Sequence, residues 1–399
     1  MTVADEAPLA GIRVFDLTSA IMAPLAAQQL GDLGADVLTV ETPKMSMNRG
    51  MTDGPVPGLS GMALNLLRNK RSLIVDLKAP TGREIAVKVA ASCDVFVSNL
   101  RPASLGRLGL DHESLARLSP TLIYCQAQGF PMDSPQAEEP AYDDIIQAVT
   151  GVADINARVN GRPMLAPTIL ADKVCGLFIA QAVLAALVKR ERTGKGSHIE
   201  VPMSDAMTSF MLVEHGAAAI GRPPQGPAGY QRIMTPNRRP AKTTDGWINV
   251  LPYSHRNYVD LFTAGGRPDL VEDPRIATMG SRIRNAGSLY QEVEQLLATR
   301  TTGEWLAFCR QHQIPASPIV TLEELVDRQP VASHPLAGEY AAVRPAMRFD
   351  GNPDLPVRRP APAQGQDTEE ILAEVGYSPA EIAELLREEF VRTSPIARN

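Results

Sequence analysis

The 399-residue sequence predicts an α/β fold, with a mainly parallel sheet covered by helices on both faces and a smaller α+β unit further along the chain. Two observations carry this. From residue 11 onward short β-rich runs alternate with helical patterns, the signature of βαβ units, whose crossovers make neighbouring strands parallel. Composition then breaks at Pro- and Gly-rich stretches, G-R-P-P-Q-G-P-A-G-Y with P-N-R-R-P (221–240) and R-R-P-A-P-A-Q-G-Q (358–366), which read as connectors.

I-R-V-F-D-L (12–17) is a strand, P-L-A-A-Q-Q-L-G-D-L-G (24–34) a helix and D-V-L-T-V-E (36–41) a second strand. R-S-L-I-V-D-L (71–77), the helix 80–92, D-V-F-V-S-N (94–99) and T-L-I-Y-C-Q-A (121–127) continue the pattern. I-L-A-D-K-V-C-G-L-F (169–178) opens a long apolar helix. R-E-R-T-G-K-G-S (190–197) follows as a turn and H-I-E-V-P-M as a strand. The smaller unit carries the strand G-W-I-N-V-L (246–251) and helices near 255–264, 286–298 and 303–312. A final helix pair flanks G-Y-S-P (376–379). The expected domains are 1–220, 221–325 and a return of 326–399 to the first.

A net charge of −6 does not suit a general nucleic-acid binder, so an anionic ligand needs a local cluster of Lys and Arg. Cys93, Cys125, Cys175 and Cys309 are scattered through apolar segments without metal or disulfide spacing. The acidic start is unlike a signal peptide, and the apolar window 174–188 is short for a membrane span and contains Gln181. The expectation is a soluble cytoplasmic protein with no metal and no permanently bound cofactor.

In parallel α/β sheets ligands bind beyond the carboxyl ends of the strands. The segments to watch are therefore 18–24, 41–44, 76–78, 99–102 and 126–130. The first strand is followed by T-S-A-I-M-A-P, where a dinucleotide site would place G-x-G-x-x-G. Neither a phosphate loop G-x-x-x-x-G-K-[ST] nor a G-x-S-x-G elbow occurs.

One set of clusters in order resembles the family III CoA-transferases (CaiB/BaiF type), relatives of formyl-CoA transferase whose fold is shared by alpha-methylacyl-CoA racemase. They are G-I-R-V-F-D-L-T, L-G-D-L-G-A-D-V-L-T-V-E, N-K-R-S-L-I-V-D-L-K, D-V-F-V-S-N-L-R-P, G-R-L-G-L, Y-D-D-I-I-Q-A-V-T-G, A-D-K-V-C-G-L, R-E-R-T-G-K-G and V-P-M-S-D-A-M, with Q-G-Q-D-T-E-E-I-L-A-E-V-G-Y-S at the end. The resemblance spans nearly the whole chain. It implies a Rossmann-like large domain assembled from both chain ends, a small domain between, and an interlocked homodimer.

It also implies a nucleophile, Asp172, four positions before Gly176. A carboxylate attacks an acyl-CoA thioester to give a mixed anhydride and free thiolate, and the start of a helix favours the ionised form by roughly 0.3–1 kcal/mol. On local grounds alone Asp172 is a helix cap or a first-turn partner of Lys173. The resemblance places Val75, Lys78, Asn99, Leu100, Arg101, Arg107, Tyr142, Asp143 and Met203 against CoA, which is a substrate here, with Lys78, Arg101 and Arg107 as phosphate cations. Lys70 and Arg71 read equally well as a turn before the strand. Ile21 stands at a position held by glutamine in many relatives, and Thr42 where an arginine is common. The glycine-rich loop of formyl-CoA transferase is absent, which argues against oxalate and formate as substrates. Arg239 (or Arg238), Tyr253 and His255 are candidate acyl-group contacts.

Two other functions fit the resemblance. A 2-methylacyl-CoA racemase needs a histidine where this chain has Tyr142, and a phenol of pKa about 10 is a poor base near neutrality. An inactive CoA-binding protein has no need of Asp172. The expected partners are an acyl-CoA and a small carboxylic acid.

Overall fold

The structure, a computed structural model, describes residues 7–349 and 357–394. The chain divides into two compact units. The larger comprises residues 1–150, 166–209 and 329–399, and the smaller 151–165 and 210–328. Residues 151–165 and 210–220 thus fall in the smaller unit, whereas the sequence reading placed them in the large domain.

The large unit opens with β1 (Arg13–Leu17), α1 (Met22–Asp32) and β2 (Asp36–Glu41), followed by β3 (Lys70–Val75), α2 (Pro80–Ala91) and β4 (Val95–Ser98). Next come α3 (Pro102–Leu108), α4 (His112–Leu118), β5 (Ile123–Gln128), α5 (Asp143–Val149), α6 (Leu170–Thr193) and β6 (Ser197–Pro202). The small unit has its own antiparallel sheet, β7 (Ala241–Lys242), β8 (Trp247–Val250) and the later β9, with α7 (His255–Ala264), α8 (Ala286–Leu297) and α9 (Thr302–Gln311) ahead of β9 (Ala316–Pro318). Its core gathers around Trp305, whose indole N–H donates to the Leu297 carbonyl at 3.0 Å. The chain then returns to the large unit as α10 (Thr368–Glu374), α11 (Pro379–Arg387) and β10 (Val391–Arg392).

The large sheet has seven strands in the order β10-β3-β2-β1-β4-β5-β6, all parallel except β10, which runs antiparallel to β3. Strand order reverses between β1 and β4, and a crevice opens at such a switch point because the connections there leave on opposite sides. Alternation along the strands sends Phe15, Phe96 and Tyr124 to one face, where neighbouring rings stack at 5.3 and 4.7 Å in the apolar core.

The opposite face is polar at its centre. Asp16, fully buried in β1, accepts from Lys70 Nζ at 2.8 Å and from Thr18 Oγ1 at 2.5 Å. The same ammonium donates to the Pro24 carbonyl in the first turn of α1 at 3.0 Å. Lys70 is thus the first residue of β3 rather than part of a turn. Arg71 joins Asp36 and Glu374, tying α10 to the sheet. Glu41 meets its arginine eight residues on, at the buried Arg49.

Helix α6 is longer than the apolar window suggested. It continues through the first half of the expected turn and stops at Gly194, which takes the left-handed conformation (φ 66°) that glycine adopts without strain. Its 24 residues reach the length and hydropathy of a membrane span, with half of its most apolar window buried inside the protein. It packs against α1, α5, β5 and β6.

Replacing Lys70 with Met strands the Asp16 carboxylate in the sheet, and we expect a loss of about 3–5 kcal/mol in urea unfolding. The double variant Lys70→Met/Asp16→Leu should recover much of it. A single variant as stable as the parent shows that the pair does not hold the sheet.

Candidate active site

Two loops meet at the switch point. After β1 the chain turns through Ala20, a non-glycine residue at φ 62°, a conformation costing about 1–2 kcal/mol that surrounding contacts must impose. Asn99, just after β4, imposes it. Its Oδ1 accepts from the Ser19 N–H at 3.0 Å and its Nδ2 donates to the Ser19 carbonyl at 2.9 Å. Beside this clamp lies a cleft of about 310 Å³ lined by residues that include Ser19, Ala20, Met22, Gln128, Gly129 and Asp172.

Asp172 sits in the first turn of α6 and is buried, only 9% exposed. It is not the helix cap: that position is Ile169, which caps nothing with its side chain. Nor does it pair with Lys173, whose ammonium donates to Thr168 Oγ1 at 2.5 Å. The N-terminal N–H groups of a helix lack partners of their own. Here the N–H of Asp172 is capped from another helix, by Asp143 Oδ1 at 3.1 Å.

The first turn of α1 faces the same carboxylate, and the Met22 N–H is its hydrogen-bond donor. That approach depends on Gly176, one turn along α6. A Cβ there would stand 2.7 Å from the Met22 carbonyl oxygen and 3.2 Å from the Leu25 side chain. The glycine four residues after the aspartate is therefore the notch into which α1 fits.

Burial is the largest influence on Asp172 and the Asp143 carboxylate adds to it. Together they outweigh the Met22 N–H and raise the Asp172 carboxyl to about 6. The helix-start donor comes from α1 and not from the helix that carries Asp172, and it does not decide the balance, because taking the carboxylate out of water costs more. Burial, with both carboxylates adding, pushes the Cys175 thiol up to about 12, so this neighbour stays protonated and unreactive near neutrality.

Of the residues singled out in the sequence, Asn99, Leu100, Arg101, Tyr142, Asp172 and Met203 all line this one cleft. Arg101 is exposed and makes no ion pair among the described residues, and Tyr142 is 62% exposed. Asp143 is buried beneath it with both oxygens engaged by the protein. Ile21 is buried between the two lining residues Ala20 and Met22, at the N-cap of α1. Val75 is fully buried in β3, and Lys78 is exposed just beyond it. Arg107, on α3, bonds Ser104 Oγ at 3.0 Å. Arg239 and Tyr253 belong to the small unit, where Arg239 pairs with Glu294 and the Tyr253 ring lies 5.4 Å from the Arg232 guanidinium. Met22 and Gly129 fall inside the strand-end segments 18–24 and 126–130, whereas Gln147 escaped sequence reading. The signal that could have found Gln147 is its i,i+4 spacing from Asp143 in Y-D-D-I-I-Q.

Over residues 9–368 the chain matches the family model described as CoA-transferase family III. The chain belongs to that family. Among curated proteins, this CoA-transferase is 30% identical over 389 residues to the succinyl-CoA:glutarate CoA-transferase of Mus musculus, covering 95% of this chain and 89% of the relative. It is 31% identical to the succinate–glutarate CoA-transferase of Agrobacterium fabrum, covering 92% and 96%. A solved CAIB/BAIF family protein from Brucella suis superposes with a TM-score of 0.77 at 28% identity, over 92% of this chain and 99% of that one.

Filling the notch should show at Asp172. Gly176→Ala is expected to cost about 1–3 kcal/mol in thermal unfolding as α1 is pushed outward, with transferase activity falling further than that loss explains at a temperature where the variant stays folded. Parental activity in Gly176→Ala would mean that α1 need not approach α6 so closely.

Proposed function

We propose that this CoA-transferase moves CoA from an acyl-CoA to a free carboxylic acid by way of Asp172. The observation that carries the reading is a buried carboxylate facing the switch-point cleft beside the start of α1. Its oxygen attacks the thioester carbonyl carbon, the C–S bond breaks, and CoA leaves as thiolate from an aspartyl–acyl mixed anhydride. The thiolate then attacks the Asp172 acyl carbon, releasing the donor acid as carboxylate and leaving an aspartyl-CoA thioester. The acceptor carboxylate attacks that carbon and displaces thiolate. The thiolate finally attacks the acceptor acyl carbon of the second anhydride, giving the new acyl-CoA and restoring Asp172. No step needs a separate base, which suits a cleft with no histidine among its lining residues.

In this reading Asn99, Leu100, Arg101, Tyr142 and Met203 receive the CoA chain, and Arg101 offers an unpaired cation at the cleft. Short dicarboxylic acids and their CoA esters are the first substrates to try, supported by the relatives named for succinyl-CoA and glutarate. Ile21, buried beside the cleft, is the candidate acyl-group contact on the large unit. An interlocked homodimer belongs to the same reading, supported by exposed apolar side chains such as Leu177, Val188, Phe210 and Val213. A racemase would need a second proton carrier in the cleft, and Tyr142 holds the position where that branch has histidine.

Incubation with succinyl-CoA, trapping with hydroxylamine or borohydride, and peptide mass spectrometry should mark Asp172. Asp172→Ala should lose at least about a thousandfold in kcat. Retained turnover in that variant would sink the assignment.

The pH profile is a separate check. Attack needs the ionised carboxylate, and its pKa is raised to about 6, so kcat/KM should be flat above that value and fall about tenfold per pH unit below it. A limb near pH 4 would show a nucleophile that burial does not perturb.

A further inference from the structure

We propose that Asp143 and Gln147 form a positioning pair for the nucleophile, holding the turn of α6 that carries Asp172. The proposal rests on the reading of Asp172 given above. Its basis is a buried chain of hydrogen bonds that no step of the transfer uses.

Gln147, on α5, has no exposed surface. Its Oε1 accepts from the Ala166 N–H at 2.8 Å, and its Nε2 donates to Asp143 Oδ2 at 2.5 Å and to the Thr168 carbonyl at 3.3 Å. The other oxygen of Asp143 takes the Asp172 N–H. One amide therefore ties the segment entering α6 at two points and also aims the carboxylate that caps the helix. The cap needs this support. A buried carboxylate with one free oxygen would carry an unmet desolvation cost and could swing toward the cleft. Gln147 removes that freedom, so Asp143 acts on the protein and not on CoA.

A neutral acceptor would cap the N–H as well. What the carboxylate adds is charge. Asp172 lies between two helix N-termini, which favour its anion. A carboxylate stabilised too far by such neighbours loses nucleophilicity. Asp143 opposes that stabilisation from below the cleft. The other groups around Asp172 are Arg101 and Glu139 on the cleft wall, Tyr142 at its edge, Lys173 turned to Thr168, and the protonated Cys175. The first two turns of α1, Met22 to Gln29, contain no ionisable side chain.

The test compares Asp143→Asn with the double variant Asp143→Asn/Gln147→Glu. The single variant keeps an acceptor for the Asp172 N–H but sets two amide N–H groups against each other. The double variant restores donor to acceptor between residues 143 and 147, gives up the longer bond to the Thr168 carbonyl, and moves the charge one link away from Asp172. For Asp143→Asn we expect kcat about tenfold lower with KM for succinyl-CoA within about twofold. We also expect the acid limb of kcat/KM to move down by about one pH unit. The double variant should regain most of kcat while its limb stays low, and it carries the test if the single variant fails to fold. A raised KM with unchanged kcat, an unmoved limb, or a double variant no better than the single would each overturn the pairing. Trapping of wild-type Asp172 run in parallel separates the two levels. An adduct in the wild type with an unmoved limb in the variant overturns the positioning pair alone, whereas no adduct in the wild type overturns the nucleophile and the pair with it.

Discussion

The ammonium of Lys70 joins two things that the rest of the large unit depends on, the centre of the sheet and the start of α1. It lies fully buried between the Asp16 carboxylate and the Pro24 carbonyl. Neither charge could remain there alone, since an unpaired ion in a protein interior costs several kcal/mol. The pair therefore fixes more than it stabilises. It locks β3 against β1 across β2 and holds the first turn of α1 over the polar face of the sheet. Apolar packing alone would let a helix slide, whereas a hydrogen bond to one named carbonyl does not.

From that anchor the site follows by contact. With its first turn held, α1 meets α6 where Gly176 leaves room, and the Met22 N–H reaches Asp172. Asn99 meanwhile binds the loop after β1 to the loop after β4, so both walls of the cleft belong to one rigid frame. The carboxylate is then set by a competition. Burial and Asp143 push toward the neutral acid, and the Met22 N–H pushes toward the anion. The outcome near 6 leaves Asp172 ionised at neutral pH yet less stabilised than a solvated carboxylate, which suits the attacking and leaving roles proposed for it.

Much of this was legible in the sequence because it rests on local pattern. The six parallel strands start and stop within two residues of the β-rich runs, since alternation and strand-end residues are local properties. The terminal β10 left no pattern, being two residues long and defined only by its pairing with Val75 and Ile74. Helix α6 ends later than the local pattern predicts, because charged residues after an apolar run resemble a turn although the helix continues through them to Thr193. Lys70 was ambiguous for a related reason: nothing local tells a solvated lysine from one whose counter-ion lies 54 residues away.

The sequence by itself determined the βαβ order, the strand ends that flank a ligand cleft and the family resemblance that singles out Asp172, because each is written in neighbouring residues. Only the tertiary structure decided what surrounds that carboxylate. It showed that Asn99 clamps two loops, that Asp143 caps a helix it does not belong to, and that Gly176 is a notch for α1. The reason is physical. Burial, desolvation and hydrogen bonding depend on groups brought together from distant parts of the chain, and no local pattern records which of them will meet.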